Sequence, residues 1–109
     1  MAADPLALGE FEQVVLLAVM HVTNCAYGVA IQEVLAQRTR RRASLGAIYM
    51  TLDRLEKKGL LASTMSEPTA ARGGRRRRCY RVTRRAVAAL RSSQRALVNL
   101  WDGLELVER

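Results

Sequence analysis

Arginine is the residue type with the most conspicuous chemistry in this chain of 109 residues. Residues 38–85 contain 15 Lys and Arg side chains and only three acidic ones, whereas residues 1–37 contain four acidic residues and no Lys or Arg. The net charge of +8 is therefore concentrated in the middle of the chain. Guanidinium groups bind phosphate oxygens through charge-assisted hydrogen bonds. A segregated basic segment therefore predicts a polyanionic partner, with nucleic acid as the first choice.

The remaining reactive residue types do not form a catalytic or metal-binding pattern. His21 lies in an apolar segment without Asp, Ser or Cys at a useful spacing, which predicts a packed side chain. Cys25 and Cys79 are far apart and have no C-x-x-C or Cys/His spacing, so we expect reduced thiols and no zinc framework. A reactive Cys79 beside several arginines is the alternative to an ordinary strand cysteine. We predict no enzymatic activity, no metal and no cofactor.

Composition predicts a folded domain in the cytoplasm. Half of the residues are hydrophobic, enough to form a core that offsets the entropy of ordering the chain. The longest apolar run, residues 14–20, has 7 residues. A membrane span needs about 18. No basic residue precedes the first apolar stretch, so the N-terminus lacks the pattern of a secretory signal.

Apolar periodicity predicts three helices in the first half of the chain. The first, residues 9–22, is apolar on nearly all sides, so we expect it to pack against both its own domain and another subunit. The second covers residues 27–38. The third covers residues 45–58, with Ser44 as its N-cap and Gly59 as its C-terminal stop. The predicted buried residues of the second and third helices are Val29, Ile31, Val34, Leu35, Ile48, Leu52 and Leu55.

The second half of the chain predicts a β-hairpin followed by a long helix. Strand-compatible residues 60–66 and 75–83 flank the turn-forming residues 67–74, which gives the hairpin a basic tip. Strand alternation places Tyr80 and Val82 on the core side, opposite Cys79 and Arg81. Thr83 caps a helix predicted over residues 84–107. The leucines at 90, 97 and 104 recur every seven residues, which is typical of a coiled-coil stripe.

This order of elements is that of a winged helix-turn-helix. In such proteins the third helix enters the major groove of DNA, and the hairpin, called the wing, contacts phosphates or the minor groove. We therefore predict a mainly α fold with a small β-hairpin. Residues 1–83 are the predicted winged helix-turn-helix domain, and residues 84–109 a C-terminal dimerisation helix packed on the same fold.

Three local stretches carry a family resemblance: Tyr27-Gly28, residues 46–59 (GAIYMTLDRLEKKG) and residues 74–83 (GRRRRCYRVT). Through them the sequence resembles the PadR-like transcriptional regulators over about residues 9–90. The resemblance implies a DNA-binding repressor that dimerises through a single C-terminal helix, as short family members do. It also implies that an effector relieves the repression. Ala47 stands where the family usually has Thr or Ser, and Met50 where it often has Pro. The DNA sequence preferred by a relative therefore cannot be assigned to this protein.

The predicted DNA contacts come from the third helix and the wing. Tyr49, Thr51 and Arg54 can bond phosphates or base edges, and arginines at the wing tip can neutralise phosphates. The alternatives are that Tyr49 packs beneath the wing, that Arg54 pairs with Asp53 or Glu56, and that the wing arginines are merely solvated. The predicted DNA-binding set is Ser44, Ala47, Tyr49, Thr51, Arg54, Lys57, Lys58, Arg72, Arg75, Arg76 and Arg77.

A second predicted surface joins two subunits. Its residues are Phe11, Leu90, Leu97, Leu100, Trp101 and Leu104. Trp101 is also a candidate contact for a small aromatic effector, and the alternative is that it only fills the dimer seam. We therefore predict a homodimeric repressor of transcription that binds a pseudo-palindromic site on double-stranded DNA. The alternatives are an RNA-binding basic module, for which exposed aromatic platforms are expected, and a protein-interaction adaptor.

Overall fold

A computed structural model describes residues 7–67 and 76–105, which form four helices and one two-stranded hairpin. The elements in chain order are α1 (Glu10–His21), α2 (Gly28–Thr39), α3 (Leu45–Lys57), β1 (Leu61–Met65), β2 (Arg78–Val82) and α4 (Arg84–Trp101). The strands pair antiparallel, with Leu61 opposite Val82 and Met65 opposite Arg78. The predicted mainly α fold with a small hairpin is confirmed. In the described part of the chain, no helix combines the length and apolarity required to span a membrane.

Local capping interactions set the helix ends. Ser44 Oγ accepts a hydrogen bond from the Ala47 amide at 3.1 Å, and Thr83 Oγ1 accepts one from the Ala86 amide at 3.2 Å. Each hydroxyl satisfies an amide that has no partner within the helix. Gly59, with a φ of 77°, adopts the left-handed conformation just beyond α3. Both predicted N-caps and the predicted glycine stop are confirmed.

The hydrophobic core lies among the first three helices and is closed by the hairpin. Its completely buried members are Val15, Leu16, Ile31, Ile48, Leu52, Leu55 and, from α4, Ala86. Leu61 and Tyr80 are the contributions of the two strands. Two sequence expectations are wrong here, because Val29 and His21 are both exposed. Val29 precedes the buried Ile31 by two residues, or about 200° of helical rotation, and so faces away from the core. His21 is the last residue of α1 and lies at its open end.

Helix α4 is shorter than the sequence predicts. It ends at Trp101, and Gly103 follows with a φ of 80°. The 18 residues correspond to a helix of about 27 Å. The Leu104 amide donates to the Trp101 carbonyl at 3.0 Å, which closes a turn and leaves Leu104 beyond the helix. The leucine repeat therefore predicted a helix end that lies too far along the chain. The helix stops before Gly103 because glycine costs about 1 kcal/mol relative to alanine in a helix.

The two halves of α4 lie in different surroundings. In the first half, Leu90 belongs to the hydrophobic core, and the fully buried Ser93 donates its hydroxyl to Gln13 Oε1 at 2.9 Å. This hydrogen bond joins α4 to α1. In the second half, Leu97, Val98, Leu100 and Trp101 are all exposed. The same helix is thus part of the subunit core at its start and an uncovered apolar surface at its end.

Candidate nucleic-acid interface

Helix α3 presents one buried and one exposed face. Ala47, Tyr49, Met50 and Arg54 are exposed, and they lie opposite the core residues of the same helix. Thr51 is only 4% exposed, because it follows Ile48 by three residues and shares its buried face. The prediction that the Thr51 hydroxyl contacts DNA therefore places it on the wrong face of α3, and Thr51 is not part of the exposed surface.

Tyr49 packs against the first residue of α2. A Cβ built on Gly28 would lie 2.4 Å from both Cζ and Oη of Tyr49, so a larger residue at this position would displace the Tyr49 ring. This close approach explains the glycine of the Tyr27-Gly28 pair. Tyr49 nevertheless remains 45% exposed. Part of the ring surface is therefore accessible to a ligand.

The Arg54 side chain is exposed and has no ion-pair partner among residues 7–67 and 76–105. Its two acidic neighbours are engaged elsewhere. Asp53 pairs with Lys57 at 3.0 Å, and Glu56 accepts a hydrogen bond from the Ser63 hydroxyl at 2.6 Å. The alternative expectation, in which Arg54 pairs with one of these carboxylates, is wrong. The guanidinium is free to present its planar set of donors outward from α3.

The two lysines at the end of α3 differ. The Lys57–Asp53 ion pair is highly exposed, so water and salt screen it and it contributes little to stability. Lys58 Nζ lies 2.8 Å from Oε2 of Glu12, a residue only 6% exposed, and this contact joins the end of α3 to the start of α1. Lys58, which the sequence analysis assigned to DNA binding, is therefore already engaged in an internal ion pair.

Glu12 has a perturbed pKa for identifiable reasons. Burial raises the pKa of the Glu12 carboxyl, but the hydrogen bonds from Lys58 and from the Gly9 amide, together with the charges of Lys58 and Arg54, outweigh burial. The net effect is a pKa below the ordinary glutamate value. The Gly9 amide donates to Glu12 Oε1 at 3.0 Å, so the same carboxylate also caps α1. No sequence motif for DNA binding would have indicated this role.

The wing, which we define as residues 61–82, carries the second group of predicted contacts. Arg72 and Arg75 lie outside the described residues. Arg76 is exposed at the start of the returning segment. The Arg77 guanidinium lies 4.0 Å from the centroid of the Tyr27 ring, a cation–π contact that orders this side chain. In the sequence, Tyr27 marks only the start of α2, and no local pattern indicates that it positions Arg77, 50 residues further along the chain.

Two further contacts join β2 of the wing to the residues preceding α2. The Tyr80 amide donates to the Ala26 carbonyl at 2.9 Å, as part of an isolated antiparallel bridge. Cys25 and Cys79 form a disulfide, with their Cα atoms 4.9 Å apart. The expectation of two separate, reduced thiols is therefore wrong. A sequence separation of 54 residues did not reveal that the loop after α1 returns to β2.

The basic segment between α2 and α3 precedes the exposed face of α3. Arg40 and Arg42 are exposed, whereas Arg41 pairs with Glu10 and lies over the Phe11 ring at 5.8 Å from its centroid. Because this segment leads directly into the N-cap Ser44, its exposed guanidiniums add positive charge near the start of α3. The connector between α2 and α3 is therefore basic.

The predicted dimer residues divide into buried and exposed groups. Phe11 packs partly against the core, and Leu90 is buried within it, so both already have partners within the subunit. The exposed apolar group consists of Leu97, Leu100, Trp101 and Leu104, which line a shallow groove of about 200 Å³. A larger groove of about 400 Å³ lies between α1 and α4, with Leu17, Met20 and Val87 among its walls.

Three helices followed by a basic two-stranded wing define a winged helix-turn-helix, a DNA-binding fold. The model of the transcriptional regulator PadR-like family matches residues 16–92, and the chain belongs to this family. The predicted resemblance is thereby confirmed, and the chain is a transcription regulator. Comparison with curated proteins gives no match.

Solved structures agree with this assignment. A PadR family transcriptional regulator from Eggerthella lenta is 28% identical, with a TM-score of 0.67 over 86% of this chain and 81% of that chain. A PadR-like transcription factor from Bacteroides fragilis is 24% identical, with a TM-score of 0.69 over 83% of this chain and 82% of that chain. RosR of H. salinarum is 22% identical, with a TM-score of 0.70 over 94% of this chain and 84% of that chain. The last two likenesses support the fold.

Proposed function

We propose that this chain is a homodimeric, sequence-specific repressor that binds a pseudo-palindromic operator. Helix α3 enters the major groove, and the wing follows the phosphate backbone. The observation that carries the proposal is the exposed Arg54, without an ion-pair partner among the described residues, on the outer side of α3 one turn after the exposed Met50. Repression follows from occupancy, because the bound dimer covers DNA that the transcription machinery requires.

The two elements contribute different parts of the binding free energy. Arg54 can donate two hydrogen bonds to a guanine edge, the commonest specific contact in the major groove. Arg76 and Arg77, together with the predicted tip arginines, neutralise phosphates whatever the base sequence. Stacking on Tyr27 orders Arg77 in advance, which lowers the entropy lost on binding. Helix α3 thus specifies the site, and the wing adds affinity.

The exposed apolar end of α4 supports a dimer. Leu97, Leu100 and Trp101 lie together there, and Leu17 and Met20 are exposed on α1 along the neighbouring groove. Soluble monomers rarely leave contiguous apolar patches of this kind in water. A second copy related by two-fold symmetry covers them and places the two α3 helices about 34 Å apart, or about 10 base pairs between half-site centres.

The dimer is tested by changing Leu97 and Leu104 to Asp. Both side chains are exposed within the subunit, so the fold does not depend on them. In the seam each carboxylate would be buried, at a cost of several kcal/mol. Light scattering should then report a monomer with an unchanged helical circular dichroism spectrum, and Asn99→Asp on the same helix provides the control. A wild-type chain that is monomeric at micromolar concentration would contradict the proposal.

An effector that relieves repression is part of the same proposal. Trp101 and its apolar neighbours form a flat surface that a planar aromatic ligand can contact between the subunits, with Glu105 or Asp102 attracting a cationic one. Trp101 is the single tryptophan of the chain, so its fluorescence reports on this location alone. Planar cationic dyes should quench it saturably and weaken operator binding by the linked free energy. Unchanged ligand affinity in Trp101→Phe would place the effector site elsewhere.

The DNA-binding test begins with the operator. Purified protein is mixed with genomic fragments from its source organism, and the retained fragments are sequenced to find a shared pseudo-palindrome. Mobility shifts with this duplex, a scrambled duplex and single-stranded RNA then distinguish the candidates. A preferred duplex supports the proposal, a preference for single strands favours an RNA-binding module, and no shift favours an adaptor.

A further inference from the structure

The Cys25–Cys79 disulfide joins the two parts of the candidate interface. Cys25 precedes Ala26 and Tyr27, the residues that contact β2 at the start of α2, and Cys79 lies within β2 itself. The bond closes a loop that contains α2, α3 and β1. It is therefore a covalent link between the helix-turn-helix and the wing.

The surroundings of this disulfide favour exchange with thiols. Both cysteines lie at partly exposed positions rather than in the core. Arg77 and Arg78 precede Cys79 directly, and positive charge stabilises the thiolate that leaves when a disulfide opens. A transcription regulator works beside DNA, in compartments whose thiol pools keep most cysteines reduced. Disulfides found there are usually transient and redox-sensing.

We infer that the Cys25–Cys79 pair is a redox-modification site that sets the affinity of the wing for DNA, with the disulfide form binding more tightly. The inference rests on the proposed function, because it concerns how strongly the chain binds duplex DNA. Nothing in the proposed function requires the cysteines to be paired.

The chemistry is a two-electron thiol–disulfide exchange with a dithiol as the reductant. A thiolate of the dithiol attacks Cys25 Sγ, the sulfur–sulfur bond of the protein breaks, and Cys79 leaves as a thiolate beside the arginines. The second thiol of the reductant then attacks the mixed disulfide and releases Cys25. The reductant ends as a disulfide, and its two electrons and two protons end on the protein cysteines. A small organic disulfide reverses the reaction.

Among the described residues, two noncovalent contacts between the wing and the residues at the start of α2 remain after reduction. These are the hydrogen bond from the Tyr80 amide to the Ala26 carbonyl and the stacking of Arg77 on Tyr27. Tyr80 stays buried in the core, so the segment that gains mobility on reduction is the one around Arg77 and Cys79, which the disulfide and the Arg77–Tyr27 contact hold to the start of α2. Because Arg77 lies two residues from Cys79, this motion reaches the wing arginines directly.

The expected effect follows from this geometry. Reduction should weaken binding to all duplexes by about fivefold to tenfold, the cost of ordering one or two long side chains on binding. Base discrimination should not change, since Tyr49 and Arg54 lie on α3 and outside the wing. An equal loss of affinity for all duplexes, with an unchanged preference among them, distinguishes wing mobility from damage to the helix-turn-helix.

The experiment compares oxidised protein with protein reduced by dithiothreitol on the same duplexes at several salt concentrations. Alkylation followed by mass spectrometry verifies the thiol state of each sample. The double variant Cys25→Ser, Cys79→Ser is the matched control. It should bind like the reduced wild type and give no response to dithiothreitol. The wild-type comparison stands without this variant if the variant does not fold.

The outcomes separate the inference from the proposed function. Equal or tighter binding by the reduced form overturns the redox inference and leaves the repressor proposal intact. Failure of both forms to bind any duplex overturns both. Resistance of the native disulfide to millimolar reduced glutathione also overturns the inference, because the bond would then be a permanent crosslink.

Discussion

Helix α3 and the wing both direct arginines outward, but they are positioned by different kinds of interaction. The α3 backbone is positioned by packing, since Ile48, Leu52 and Leu55 are completely buried on its inner face. The wing has few buried side chains and depends on links to the start of α2, among them the disulfide and the Arg77–Tyr27 contact. A helix packed on a core suits base recognition, which needs exact placement. A linked hairpin suits phosphate contacts, which tolerate small displacements.

The largest expected effect tests whether packing alone positions α3. Leu52→Ala should lower the free energy of unfolding by about 2–5 kcal/mol, because it leaves a cavity beneath the exposed face. Met50→Ala, on the exposed side of the same helix, should change it by less than about 0.5 kcal/mol. Denaturant unfolding measures both. Similar values for the two variants would contradict the distinction between the faces of α3.

A second change removes the phosphate contacts of the wing. Replacing Arg75, Arg76 and Arg77 together by Ala should weaken binding to every duplex and lower the slope of log affinity against log salt by about three for each subunit of the dimer. The double variant Arg91→Ala, Arg95→Ala removes charge from α4 and serves as the control. If the triple variant keeps the wild-type slope, the wing does not contact phosphates.

A third change addresses base recognition by α3. Arg54→Ala should reduce discrimination between the operator and a scrambled duplex by about 1–3 kcal/mol, while the salt slope changes by at most about one. Competition binding with the two duplexes gives this difference directly. A uniform loss on both duplexes would assign Arg54 to a phosphate and remove the contrast between α3 and the wing.

The smallest expected effect concerns the ion pair at the end of α3. Because the pKa of Glu12 is lowered in the folded protein, its contribution to stability is complete above the unfolded glutamate pKa of about 4.3. It is lost as the pH falls through that value toward the lowered folded pKa. Lys58 is partly exposed, so screening keeps the effect under about 1 kcal/mol. Urea unfolding from pH 7 to pH 3 should show this loss in the wild type but not in Glu12→Gln.

The local features of the fold were predictable from the sequence. Ser44, Thr83 and Gly59 mark helix ends through interactions that span at most a few residues, and alternation along β2 correctly placed Tyr80 inward. The burial of Thr51 was also readable, because it lies three residues from Ile48 on the same helical face. The arginine-rich segment and the exposed apolar end of α4 followed from composition and spacing alone.

The contacts that position the site were decided by the tertiary structure. The Cys25–Cys79 disulfide, the Lys58–Glu12 pair and the packing of Tyr49 on Gly28 each join residues at least 21 positions apart. Helical and strand periods report only which face of an element a residue occupies. They do not report which loops return to which strand. The path of the chain between elements brings these residues together, and that path emerges only when all the buried faces pack into one core.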